Sequence, residues 1–231
     1  MQEVLRQEKK YLIQQAQGMA LNHRLQQVLH QDDHNGSQGY VVRSLYFDTL
    51  DDRDLFEKEF GMETRRKVRL RVYDPRGSFA MLELKQKQGE YQRKRSLRLS
   101  RREAQRLIAC DYTPLLDHPE PFAAECYALM QTWCYRPKTI VEYQRKAFVV
   151  RENNIRLTFD HQIDATATSF DLFDPHLVMT PVLPRSHGVL EVKFNGFLLS
   201  YLKQLLGELE KSQTSVSKYV LARGQTYHPH L

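Results

Sequence analysis

The stretch Lys67-Val68-Arg69-Leu70-Arg71-Val72 decides how this sequence is read. Side chains along a strand alternate between two faces, so Lys67, Arg69 and Arg71 share one face and Val68, Leu70 and Val72 the other. Leu82-Glu83-Leu84-Lys85, Val141-Glu142-Tyr143-Gln144-Arg145, Ile155-Arg156-Leu157-Thr158-Phe159-Asp160 and Leu190-Glu191-Val192-Lys193-Phe194 read similarly, the third of them least cleanly. An ordinary half-solvated antiparallel sheet also alternates, but its outer face mixes Thr, Ser, Glu and Lys without a preferred sign. Here cations dominate, with Glu the main exception. Glu83 and Glu191 each stand two positions before a Lys, which sets a metal-binding carboxylate beside a phosphate-binding ammonium on one strand face.

Around these strands the sequence predicts helices. A short strand near 6–13 leads into a helix over 16–30, where Met19, Leu21, Leu25, Val28 and Leu29 make a rough stripe. A strong strand covers 40–49, and Asp51 or Asp52 is expected to cap a short helix running to Phe60. Strands at 65–74, 79–88 and 91–99 form a meander with turns at 74–78 and 88–90. Ser100 and Glu103 make a capping box, and Pro121 opens a further helix. The second half repeats the design: strands near 138–150, 155–168, 178–183 and 187–195, an Asn153-Asn154 hairpin turn, and helices near 198–210 and 214–223. If helices cover the apolar side, the charged faces converge inside. The expected fold is therefore α+β, a single domain over 1–231 in which a closed antiparallel β-barrel encloses a cationic bore and helices pack outside.

The 231 residues carry 34 Lys+Arg against 28 Asp+Glu, a net charge of +6. That excess favours nucleotides, polyphosphate, nucleic acid or anionic lipid as partners without choosing among them. Hydrophobic content of 41% and charged content of 27% are globular values, so disorder is expected only at the ends and in the polar loop 32–37. Cys110, Cys126 and Cys134 are odd in number and lack CxxC spacing, which argues against a disulfide framework or a zinc site and fits a reducing cytoplasm. The first ten residues contain no apolar signal segment, and no apolar run approaches the ~18 residues of a spanning helix.

No GxxxxGK[ST] or GxGxxG loop occurs, so side chains rather than a backbone cradle must hold any nucleotide. Arg suits paired phosphate oxygens and Lys a point contact, so alternating Arg69 and Arg71 with scattered Lys suit a chain of phosphates better than one sugar or base. Crowding such cations is costly: two like charges about 6 Å apart repel by roughly 3 kcal/mol at an effective dielectric of about 20. Removing one from the empty protein is accordingly expected not to lower its melting temperature. The histidines offer no catalytic set, and His228 and His230 fall in a tail expected to fray. A nucleic-acid partner is not expected, because most aromatics fall on apolar faces rather than among the cations.

At Arg6-x-Glu8-x-Lys10-Tyr11, Ser44-Leu45-Tyr46-Phe47-Asp48-Thr49, Lys67-Val68-Arg69-Leu70-Arg71, Glu83-Leu84-Lys85, Glu142-Tyr143-Gln144-Arg145, Ile155-Arg156-Leu157-Thr158, Leu190-Glu191-Val192-Lys193 and Ser217-Lys218-Tyr219, the chain resembles the VTC polyphosphate polymerase domain of the triphosphate tunnel metalloenzyme superfamily. The resemblance implies an eight-stranded tunnel that binds ATP and polyphosphate or triphosphate, with Mn²⁺ or Mg²⁺. Carried over by position, it implies a phosphate-binding wall of Lys10, Arg69, Arg71, Lys85, Lys94, Arg145, Arg156, Lys193 and Lys218, with Tyr143 and Ser217 as hydrogen-bonding neighbours. Glu191 would hold the metal, with Glu8 and Glu83 as further candidates. The wider superfamily opens with ExExK, whereas this chain has Arg6, Glu8 and Lys10, a departure that favours the polymerase branch over a hydrolase or cyclase.

The implied reaction is transfer of the ATP γ-phosphate to a growing polyphosphate. The acceptor is already ionised, so alignment and charge screening matter more than acid–base groups. Arg69, Arg71 and Arg156 would screen, and Lys218 would close one end. The alternatives are a tri- or polyphosphate hydrolase and a non-catalytic accessory binder. Relatives joined to membrane helices imply a membrane-protein partner at the inner membrane, this chain having no span of its own.

Overall fold

The computed structural model describes residues 6–89, 91–209, 212–213 and 216–226. Its elements in chain order are β1 (Arg6–Gln14), α1 (Gln15–Val28), β2 (His30–Gln31), β3 (Tyr40–Asp48), α2 (Arg53–Glu59), β4 (Thr64–Val72), β5 (Phe79–Gln88), β6 (Tyr91–Ser100), α3 (Arg101–Ile108), α4 (Pro121–Thr132), β7 (Arg136–Val150), β8 (Ile155–Thr166), β9 (Thr180–Pro181), β10 (His187–Asn195), α5 (Ser200–Gly207), β11 (Ser212–Gln213) and α6 (Lys218–Thr226). The chain divides into two compact units. The first comprises residues 1–41, 143–164 and 181–217, and the second 42–142, 165–180 and 218–231.

In the first unit β1 pairs with β10 and β10 with β8, all antiparallel. Ile155, Leu157, Phe159, Leu190, Val192 and Phe194 turn to one face of these strands, where Leu21 and Leu25 of α1 and Leu202 and Leu206 of α5 complete the core. The second unit contains the expected meander, β4-β5-β6, extended by β3, and its apolar face carries Leu45, Phe47, Val68, Leu70, Leu82, Leu84, Leu97 and Leu99. Ala104 and Leu107 of α3 and Ala123, Cys126 and Met130 of α4 cover it. Alternation thus produces an apolar, helix-covered face in each unit, as the sequence pattern requires.

The full hydrogen-bonded path reads β11-β1-β10-β8-β7-β3-β4-β5-β6, with the two-residue strands β2 and β9 pairing with β7 and β8. This is a large antiparallel sheet of eleven strands among the described residues, and the ladders between them do not confirm the expected closed eight-stranded barrel. β11 is two residues long, and β6 begins Tyr91-Gln92-Arg93-Lys94 with those side chains exposed, and a short strand or a row of cations discourages further pairing.

Local signals resolve as chemistry dictates. The Ser100 hydroxyl accepts from the Glu103 amide while the Glu103 carboxylate accepts from the Ser100 amide, the predicted capping box. Asn153 and Asn154 both take positive φ in the predicted turn. The start of α2 is capped differently from expectation: Asp48, at the end of β3, accepts from the amides of Asp54 and Leu55, and the Thr49 hydroxyl from that of Arg53. The polar loop 32–37 is ordered by Asn35, which exchanges two hydrogen bonds with Ala147, and by Lys146, which donates to the carbonyls of Gly36 and Ser37. The expected strand at 178–183 shrinks to Thr180–Pro181. Glu90, residues 214–215, His228 and His230 lie outside the described residues, as does the Arg6 side chain.

Phe159 is wedged where two glycines meet it, one on α1 and one on β10. A Cβ at Gly18 would lie 2.3 Å from the ring, and one at Gly188 would lie 2.5 Å from it and 2.9 Å from the Asp160 carbonyl. Because the backbone oxygen cannot yield as a side chain can, Gly188→Ala should cost about 1–3 kcal/mol in urea denaturation. Phe159→Leu in that background should recover part of the loss, whereas an unchanged midpoint for the single variant would show that the contact is slack.

Candidate functional site

The strand face opposite the core of the second unit is built in register. Lys67, Lys85 and Lys94 form one cross-strand row; Tyr46, Arg69, Glu83 and Ser96 form the next; Ser44, Arg71, Met81 and Arg98 the third. Glu83 is the hub. One of its oxygens takes Nε and Nη2 of Arg69 at 2.7 and 2.6 Å and lies 3.7 Å from Arg71, while the other takes Lys94 at 2.5 Å. Arg69 also donates to the Tyr46 hydroxyl at 3.2 Å, and Arg71 to the Ser44 hydroxyl at 3.2 Å. Burial alone would raise the Glu83 carboxyl, but Arg69, Arg71 and Lys94 outweigh it and hold the group down at about 2. The Tyr46 phenol is pulled below its ordinary value: burial opposes the shift, and Arg69, Arg71 and Lys218 override it.

The first unit carries a second set of rows. Glu8, Lys193 and Arg156 stand in line across β1, β10 and β8, followed by Lys10, Glu191 and Thr158, then Leu12, Val189 and Asp160. Lys10 lies 2.9 Å from Glu8 and 3.9 Å from Glu191. Lys193 pairs closely with Glu191 and lies 3.9 Å from Glu8, so the two carboxylates share both lysines. Arg145, from β7, forks onto both oxygens of fully buried Asp160 at 2.7 and 2.8 Å and lies over the Tyr143 ring. Burial alone would depress the Arg145 guanidinium; Asp160 keeps it well above the ordinary value and charged. Arg156 donates to Asp32 at 2.7 Å and to the Tyr40 hydroxyl at 3.1 Å.

The predicted wall therefore falls into two groups: Arg69, Arg71, Lys85 and Lys94 in the second unit, and Lys10, Tyr143, Arg145, Arg156 and Lys193 in the first. Lys218 begins α6 in the second unit, and Ser217, buried, immediately precedes it. The sequence singles out the counter-ions Glu8, Glu83 and Glu191 but not the others. Asp160 and Asp32 were not singled out, nor were Tyr46, Ser44 and Tyr40, although Ser44, Tyr46 and Asp48 alternate with Arg43, Leu45 and Phe47 and could have been read as a polar face. Arg69, Arg71, Arg145 and Arg156 are each paired with a carboxylate, so acidic side chains offset the crowding of cations on these faces. Removing Arg69 would loosen a buried carboxylate, not simply relieve repulsion.

As hard oxygen donors, Glu8 and Glu191 fit a divalent ion of the Mg²⁺ or Mn²⁺ type that arrives with a polyphosphate, since such ions use one or two carboxylates plus substrate oxygens. Thr158, opposite Glu191 in the ladder, has its Oγ buried without a hydrogen-bond partner. Among the described residues no group of three or more His, Cys, Asp or Glu could form an all-protein cage. Glu83 is committed to three cations. Arg156 Nε is likewise buried without a hydrogen-bond partner.

The VTC domain family model matches residues 5–227 of the chain. Among curated proteins none matches. A crystal structure of a "putative adenylate cyclase" from Bacillus halodurans is 14% identical and superposes over 92% of this chain and 95% of that one with a TM-score of 0.50, a likeness of fold. A protein from Pyrococcus horikoshii is 9% identical over 93% of this chain and 99% of that one, TM-score 0.46. Among the described residues no helix is long and apolar enough to cross a membrane.

Glu83 gives a pH test with a definite sign. Its folded value lies below the ordinary carboxylate value, so the stability it contributes is present above about pH 4.5 and is lost as pH falls toward 2. Glu83→Gln should be less stable than wild type at pH 7, and its loss of stability between pH 4.5 and 2 should be shallower. The same variant should bind tripolyphosphate more tightly, since three cations lose their internal counter-ion. Parallel acid limbs for the two proteins would show that Glu83 does not couple to the wall.

Proposed function

The chain belongs to the VTC domain family, and we propose that it is a triphosphate-tunnel-type protein that binds nucleotide and polyphosphate through its cationic strand faces and transfers the ATP γ-phosphate to a growing polyphosphate. The observation that carries this reading is the register: cations of neighbouring strands stand in rows, with carboxylates spaced among them, on the sheet face opposite the cores. A linear polyanion meets such rows one phosphate after another. Arg69 and Arg71, pre-oriented by Glu83, Tyr46 and Ser44, present guanidinium edges to phosphate oxygens. Lys85 and Lys94 extend that grip along β5 and β6.

In the first unit Arg156 and Lys193 screen the repulsion between acceptor and donor, and Asp160 fixes the Arg145 plane. Tyr143, under Arg145, and buried Ser217 serve as hydrogen-bonding neighbours of the transferred phosphates. Glu191 and Glu8 would hold Mn²⁺ or Mg²⁺, which supplies charge neutralisation across donor oxygens when bound. Lys10, which lies beside both carboxylates, would contribute an ammonium to the same phosphates. We place this activity in a reducing, cytoplasmic setting, which the free Cys110, Cys126 and Cys134 suit. A membrane-protein partner belongs to the same reading on family resemblance alone.

Binding and turnover separate at Glu191. Glu191→Gln is nearly isosteric and one negative charge lighter, so it should retain or tighten binding of short polyphosphate in titration calorimetry and lose Mn²⁺-dependent chain synthesis from labelled ATP, read by sizing the product. Phosphate release without chain growth in wild type would favour the hydrolase. Tight binding with no turnover under any divalent ion, partner and primer supplied, would favour the accessory binder. Full synthesis by the variant would remove Glu191 as the ligand and move the test to Glu8.

A further inference from the structure

Lys218 opens α6, and its charge acts on the Tyr46 phenol together with those of Arg69 and Arg71. The residues that follow it fix where the helix sits. The next residue, Tyr219, is 1% exposed, stacks on Tyr46 with ring centroids 5.1 Å apart and donates its hydroxyl to Asp48 at 2.6 Å. One turn on, Arg223 pairs with Asp52. Resting on the phosphate-binding reading above, we infer that Tyr219 is a positioning residue: its bond to Asp48 and its stack on Tyr46 hold α6, and with it Lys218, beside the Arg69 row.

Asp48 is suited to be the fixed end of this latch. It is fully buried at the end of β3, and besides Tyr219 it accepts from the amides of Thr49, Asp54 and Leu55, which tie it to the start of α2. The neighbouring Asp54 carboxyl does not compete for Tyr219: both its oxygens lie 3.0 Å from the Tyr135 hydroxyl, and burial, aided by the Asp48 charge, pushes it up to about 8. Burial and Asp48 push the Tyr219 phenol upward, so it remains a donor across the working range. On the other side Tyr46 sits directly opposite Arg69 in the ladder and accepts from it. The stack thus joins the helix that carries Lys218 to the strand row that carries Arg69.

The test uses the full chain and two readouts. Without ligand, Lys218 should react slowly with an amine-acylating reagent, followed by mass spectrometry. Tyr219→Phe keeps the ring and loses only the donor, and a hydrogen bond to a charged group corresponds to at least about a tenfold change in an opening equilibrium, so labelling of Lys218 should rise by about that factor while the far-ultraviolet spectrum is unchanged. Arg223→Gln, at the other anchor of the helix, should raise it in the same direction and guards against a folding defect in the first variant. Unaltered Lys218 labelling in both variants overturns the latch.

The second readout is a double-mutant cycle with inorganic tripolyphosphate. Lys218→Ala should weaken binding in wild type by about tenfold and much less in Tyr219→Phe, where the ammonium is already released. Equal losses in the two backgrounds would mean that Tyr219 acts on stability alone, and the inference fails. If wild type does not bind tripolyphosphate yet Lys218 labelling still rises in Tyr219→Phe, the latch stands and the phosphate-binding reading fails.

Discussion

Like charges on one sheet face repel, and this constraint shapes the rest of the molecule. Cations directly opposite one another across strands are destabilising, yet Lys67, Lys85 and Lys94 occupy such a row, and Lys193 and Arg156 stand adjacent in another. The fold answers with carboxylates from the same sheet face. Glu83 lies in the row next to the three lysines, Glu8 and Glu191 interleave with Lys193 and Lys10, and Asp160 receives the full guanidinium of Arg145. A one-residue slip of β5 against β4 would send Glu83 to the apolar face and leave Arg69 and Arg71 uncompensated. Register is therefore specified twice, by the hydrophobic cores and by the charge pattern.

On the proposed function, the same arrangement would serve an anion. At close contact and an effective dielectric near 20, one carboxylate on one guanidinium gives roughly 5 kcal/mol of Coulomb attraction before desolvation. A phosphate chain bearing several charges competes with that only where it meets several cations together. On the proposed function, selectivity for a chain over a single phosphate would follow: a monovalent anion would exchange one partner for another with little gain, whereas a polyanion would contact a whole row. Holding Arg69 between Glu83, Tyr46 and the sheet also removes much of the side-chain freedom that binding would otherwise have to freeze.

The alternation that set the fold was legible because it is a property of each strand alone. Val68, Leu70, Leu82, Leu84, Leu157 and Val192 all reach the cores that the period of two assigns them. The capping box at Ser100 and the Asn153-Asn154 turn were equally local. What the sequence hid is what depends on contacts between distant residues. Asp32 and Arg156 are paired across 124 positions, and Asp48 caps α2 while also receiving Tyr219 from 171 positions away. Closure is a separate matter: a strand's alternation states which face is charged, not whether its edge finds a partner.

The segment Ser44-Leu45-Tyr46-Phe47-Asp48 joins these levels in five residues. Leu45 and Phe47 enter the core, and Ser44, Tyr46 and Asp48 turn to the polar face. Ser44 orients Arg71, Tyr46 orients Arg69, and Asp48 organises both the start of α2 and the docking of α6. A strand that needed only to bury its apolar side could carry Thr or Ser at all three polar positions. The types present each fit a different demand: a small hydroxyl where Arg71 approaches, a ring that can stack and accept at Arg69, and a carboxylate where two helix amides and a phenol converge. Sheet register, cation orientation and helix docking therefore depend on one strand, so a change in its pairing would disturb the core and the charged face together.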